Sequence, residues 1–153
     1  MTQEPAFEGT LQWAGQPQDR PFDYDHYNRE ATLEFAGGAR IEASSPSVFK
    51  GDDTRANPET LMLGSLMQCH FLTFMAIAAK SRLPVASYSD RASGRLGMKD
   101  GKMRYVEVVL RPRVGFVDPA HAEKLAMLHE KAHAHCFMSN SVNFPIRVEA
   151  DLG

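Results

Sequence analysis

Between Asn57 and Lys80 the chain carries a segment that reads as one long helix wanting cover on nearly every side. Three residues mark its start. Asn57 suits an N-cap, Pro58 the first helical position, and Glu59 the positive end of the helix dipole. Leu61, Leu63, Leu66, Met67, Phe71, Leu72, Phe74, Met75 and Ile77 then run almost all the way round. Such a helix is expected at the centre of a fold, not on its surface. A length of 153 residues gives room for one domain, 1–153, built around it.

The flanking segments read as strands. Phe7 to Trp13 alternates, as do Thr32 to Phe35 and Ile41 to Ala43, with Gly37-Gly38 as a turn. Gln16 to Tyr27 is a polar, aromatic excursion, and Ser44 to Ala56 is a long loop. After the helix, Ala86 to Leu96 and Val106 to Val114 alternate around Asp100-Gly101 as an antiparallel hairpin with one wet face. Asp118-Pro119 opens a second helix to about Cys136, and Phe144 to Leu152 alternates as a last strand. The order β-β-α-β-β-α-β is α+β.

With 43% hydrophobic and 24% charged residues, disorder is not the expectation. A net charge of −2 leaves no basic footprint for nucleic acid. No uninterrupted apolar run of ~18 residues occurs, so no membrane span is expected. Met1 to Pro5 lacks the apolar core of a secretory signal, and a cytoplasmic location is the expectation. Two cysteines in that setting point to buried thiols or redox chemistry rather than a structural staple.

Cys69 lies between Gln68 and His70 in an otherwise apolar segment, and His133 and His135 precede Cys136. A thiolate near neutral pH needs a positive charge or donors beside it. The arginines in the irregular segments before the helix, Arg20, Arg29 and Arg55, read mostly as solvated charge, though one beside a thiol would lower its pKa. His129-Glu130-Lys131-Ala132-His133 matches H-E-x-x-H on a helix, with two His one turn apart for zinc and Glu130 as general base. Against a zinc hydrolase stands the need of that helix to bury Leu125, Leu128, Ala132 and Cys136. Met62, Met67 and Met75 read as core.

Asn57-Pro58-Glu59-Thr60-Leu61, with Cys69 ten residues after Glu59, resembles the signature of the OsmC/Ohr family of osmotically inducible and organic-hydroperoxide-resistance proteins. Ala132-His133-Ala134-His135-Cys136 followed by Ser139-Asn140 and a terminal strand resembles the family's second block. The resemblance runs over roughly residues 8 to 152. It implies antiparallel sheets around long central helices and an intertwined homodimer. It implies a stress-response thiol peroxidase, with neither metal nor other cofactor, that takes organic hydroperoxides and is reset by an external thiol.

By the same resemblance Cys69 corresponds to the peroxidatic cysteine, Cys136 to the resolving cysteine and Glu59 to the active-site glutamate. The family's arginine is placed first at Arg29 and second at Arg55. His70 after Cys69 and Phe137 after Cys136 depart from the better-known members and mark a separate branch. A zinc hydrolase on His129, Glu130 and His133, or a non-catalytic binding module on the family fold, are the alternatives. If Glu59 and Cys69 share one straight helix, they stand about 15 Å apart along it. An arginine bridge, a helix break or a partner chain would then be needed to join them.

Overall fold

A computed structural model describes residues 4–153. Met1–Gln3, part of the segment read above for a secretory signal, lie outside the described residues. The chain divides into two compact units, one ending at Leu61 and one running from Met62 to Gly153.

The alternating segments of the first unit form an antiparallel sheet of β1 (Gly9–Trp13), β2 (Ala31–Phe35) and β3 (Arg40–Ala43), in that order. Leu11 stands opposite Leu33, and Leu33 opposite Ile41, so the apolar positions fall on one face. Gly37 and Gly38, with φ of 95° and 91°, make the turn that only glycine takes easily. The excursion between β1 and β2 is closed on itself. The Trp13 indole N–H donates to the Asn28 carbonyl at 2.9 Å, and the Asn28 amide donates to the Gly15 carbonyl at 2.8 Å. The long loop after β3 holds a single 3-10 turn, Ser47–Phe49.

The helix α1 (Pro58–Lys80) starts where the capping chemistry requires. The Thr60 N–H donates to Asn57 Oδ1 at 2.8 Å, and the Asn57 N–H donates to Thr60 Oγ1 at 3.0 Å. This reciprocal pair satisfies donors the helix cannot satisfy itself.

In the second unit each expected long strand is interrupted once. The first becomes β4 (Val85–Asp90) and β5 (Ser93–Lys99). The second becomes β6 (Lys102–Leu110) and β7 (Pro112–Phe116), and the last becomes β8 (Ile146–Val148) and β9 (Asp151–Leu152). Two sheets result, ordered β4-β7-β9 and β5-β6-β8. Pro112 is one cause, since it has no N–H to give to a ladder and restricts Arg111 before it. Arg111 ties the three breaks together. Its N–H donates to Asp90 Oδ1 at 2.8 Å, and its guanidinium reaches Ser93 Oγ at 2.9 Å and Glu149 Oε2 at 3.0 Å. β8 and β9 lie parallel to β6 and β7, so these sheets are mixed, while β4–β7 and β5–β6 are antiparallel as expected.

Asp118 accepts from the Ala120 N–H and opens a 3-10 turn, Pro119–Lys124, which leads into α2 (Leu125–His135). The fold is α+β, as the pattern of elements implies. The expectation for α1 needs correcting, because a single chain does not cover it all round. Its buried residues are Leu66, His70, Phe74 and Ala78, one stripe at every fourth position. Phe74 and Ala78 pack with Val114, Leu128 and Ala132, and Leu66 packs with Val108 and Leu110. Met62 and Leu72 are exposed at 40% and 55%.

The helix also passes the length and composition test for a membrane span, with a mean hydropathy of 1.6 over 18 residues. Demanding an unbroken apolar run misses this, because Gln68, His70 and Thr73 interrupt the run without lowering the average enough. Its buried stripe nevertheless has partners within the chain, on the strands and α2.

Candidate active site

Cys69 and Cys136 come together. Cys69 sits at mid-length on α1, half-buried, and Cys136 caps the C-terminus of α2, fully buried. Both are free thiols. The buried stripe of α1 faces the α2 stripe of Leu128, His129 and Ala132, which brings the two helix segments into one seam.

Three donors act on the Cys69 sulfur, the backbone N–H of Met138, the Cys136 thiol and the backbone N–H of Phe137, while the Thr73 hydroxyl donates to the Cys69 carbonyl at 2.8 Å. Burial works to raise the Cys69 pKa, and these donors outweigh it, so the thiol is held below its usual value. Cys136 is pushed the other way. Burial raises it, Ser139 partly offsets this through its hydroxyl and N–H, and the neighbouring Cys69 adds to the rise. The pair is therefore asymmetric, with Cys69 losing its proton more readily than Cys136. That is the arrangement an attacking and a waiting thiol require.

The loop that supplies the N–H groups is fixed by its own hydrogen bonds. At Cys136 the backbone leaves the helix in an extended conformation. The Asn140 N–H returns to the Cys136 carbonyl at 3.0 Å, and the Asn140 side chain donates to the Ala134 carbonyl at 3.2 Å. Ser141 Oγ donates to the Phe137 carbonyl at 2.7 Å. Successive N–H groups aimed at one point form an anion-binding nest. Sequence reasoning missed this part of the site, since it looked for a charged side chain beside the thiol. The Ser139-Asn140 pair was the available signal.

The other expected site residues lie in the first unit. Arg29 donates to the Tyr27 and Tyr24 carbonyls, and its guanidinium stacks 3.8 Å from the Tyr27 ring centroid. Arg55 is ion-paired with Glu42, Glu30 and Asp52 at 3.1, 3.2 and 3.6 Å. Glu59 is half-buried in the first turn of α1. Because α1 is unbroken from Pro58 to Lys80, a helix break between Glu59 and Cys69 is removed from the three ways of joining them.

The H-E-x-x-H segment is put to another use. His129 is buried, and its Nδ1 is 2.9 Å from His70 Nε2 with the two rings coplanar to 3°. It also packs at 4.4 Å, centroid to centroid, on Phe74. No three His, Cys, Asp or Glu side chains gather into a metal-holding group among the described residues. The zinc-hydrolase alternative thus lacks the third ligand it needs. Phe74 belongs to the core. Phe137 is 76% exposed beside the thiol.

Comparison with known proteins adds the following. The family model described as OsmC-like protein matches residues 51–151. An OsmC-like protein of unknown function from Vibrio cholerae O1 biovar eltor str. N16961 is 35% identical, with a TM-score of 0.89 over 96% of this chain and 99% of that chain. An organic hydroperoxide resistance protein from Elizabethkingia anophelis superposes with a TM-score of 0.73 over 100% and 99% of the two chains. At 20% identity it speaks for the fold alone. The uncharacterized protein YmaD of Bacillus subtilis (strain 168) is 25% identical over 130 residues, 82% of this chain and 86% of that protein.

Proposed function

The chain belongs to the family of OsmC-like proteins, and from that premise we propose that it is a cysteine-based peroxidase that reduces organic hydroperoxides to alcohols. The observation that carries the reading is the asymmetric thiol pair. One sulfur is stabilised as thiolate by backbone N–H groups, and a second, protonated thiol donates to it.

The Cys69 thiolate attacks the terminal oxygen of the hydroperoxide. The O–O bond breaks, the sulfur keeps the hydroxyl as a sulfenic acid, and the alkoxide leaves to take a proton and become the alcohol. Cys136 then attacks the Cys69 sulfur, the sulfenic oxygen departs as water, and a 69–136 disulfide remains. An external thiol returns both sulfurs to the reduced state by exchange. The N–H groups of Phe137 and Met138 stabilise negative charge at the sulfur without reorganising. The active unit is a homodimer acting in the cytoplasm, and exposed Phe137 suits an organic peroxide better than hydrogen peroxide.

The test is a thiol titration before and after one equivalent of cumene hydroperoxide. Both free thiols should disappear together, with an intramolecular disulfide found by mass. Unchanged thiols would leave the fold as a non-catalytic binding module.

A further inference from the structure

In the seam between α1 and α2, Phe74 and Ala78 pack on Leu128 and Ala132, and His70 meets His129 beside them. Both rings are buried, at 0% and 4% exposure, and each makes its one hydrogen bond to the other. His70 Nδ1 and His129 Nε2 have no partner. Apolar contacts along such a seam tolerate sliding and rotation, whereas a hydrogen bond weakens steeply with angle. This buried hydrogen bond therefore helps fix the register of α2 on α1. His70 is next to Cys69 in sequence, and His129 lies seven residues, about two turns, before Cys136 on the same face of α2.

Resting on the peroxidase reading for its context, we propose that His70 and His129 form a positioning clamp that sets Cys136 against Cys69. The clamp governs closure of the disulfide and leaves the attack on peroxide alone. Closure forms an S–S bond as the S–O bond of the sulfenic acid breaks, with the oxygen leaving as water together with the Cys136 proton. It demands alignment of two sulfurs carried by two different helices, which the first step does not.

The clamp works in its neutral form, where one shared proton makes the bond. One added proton still leaves a donor facing an acceptor, but a second sets N–H against N–H. His133 on α2 acts on His70, and Glu130 and His133 line one cleft with His129. Neither imidazole is hydrogen-bonded to a carboxylate among the described residues. His129 lines a cleft of about 420 Å³ together with Leu125, Glu130, His133 and Val148.

The experiment separates the two steps by rapid quench, trapping sulfenic acid with dimedone and scoring disulfide by mass. His129→Phe keeps a flat ring on Phe74 and removes the bond. It should slow closure about tenfold, the size of one lost hydrogen bond, with sulfenic acid forming at the wild-type rate. His129→Asn, whose amide reaches where Nδ1 stood, should restore closure. Loss of both steps together, or of neither, overturns the clamp.

Diamide, which closes dithiols without peroxide, distinguishes the two readings. If peroxide consumes no thiol, the peroxidase reading fails. The variants must still close more slowly with diamide for the clamp to stand, and equal rates overturn it.

Discussion

At Cys69 the decisive fact is which atoms do the stabilising. Two of the three donors on the sulfur are peptide N–H groups, and side-chain replacement at Phe137 or Met138 leaves them in place unless the new residue is proline. Cys69→Ser should abolish peroxide consumption. Cys136→Ser should oxidise once and accumulate sulfenic acid detectable by mass. Turnover in the first variant, or its unimpaired persistence in the second, would overturn the assignment of the two sulfurs. The cysteines were legible in the sequence through the polar neighbours Gln68, His70 and His135. The nest was not, because the donors are backbone atoms whose direction is set only once Cys136 leaves the helix in an extended conformation.

Among the elements, α1 was legible at its start and misread along its length. Asn57 and Thr60 form the reciprocal cap that local chemistry requires, and Asn57→Ala should cost about 1 kcal/mol in denaturant unfolding. No loss would mean the cap is redundant with packing. Its burial was overread because periodicity reports where apolar residues point and not how many faces one chain can cover. The strands were legible as alternation. Their breaks were not, since Arg111 acts through Asp90, Ser93 and Glu149, residues 18 to 38 positions away.

The seam between the helices sets a pH limit. Burial first, then the neighbouring His133 and His70 respectively, push His70 and His129 down to about 4. As pH falls below 6.5 the unfolded chain takes up these two protons before the folded one does. Stability is then full above pH 6.5 and lost towards pH 4, with a slope of at most about 2.7 kcal/mol per pH unit for two protons. Asp90, raised by burial, works in the opposite sense nearer pH 4. Urea unfolding from pH 7 to pH 4 checks this. A His70→Gln, His129→Asn double variant should show the shallower profile, and identical profiles would remove the pair as the cause.

On the scale of the whole molecule, the proposed homodimer follows from the same helix. Only 22% of its most apolar window is buried within the chain, and a second copy would cover the remainder isologously. Sedimentation at micromolar concentration should give about twice the chain mass of 17.0 kDa, and a stable active monomer there would refute it. A further result concerns concentration. If much of the core becomes a core only on pairing, the equilibrium that holds the chain together contains a bimolecular term. Dilution would then act as a denaturant does, lowering the melting temperature with no change in solvent. A cell making few copies would face a different protein from the one studied in a concentrated tube.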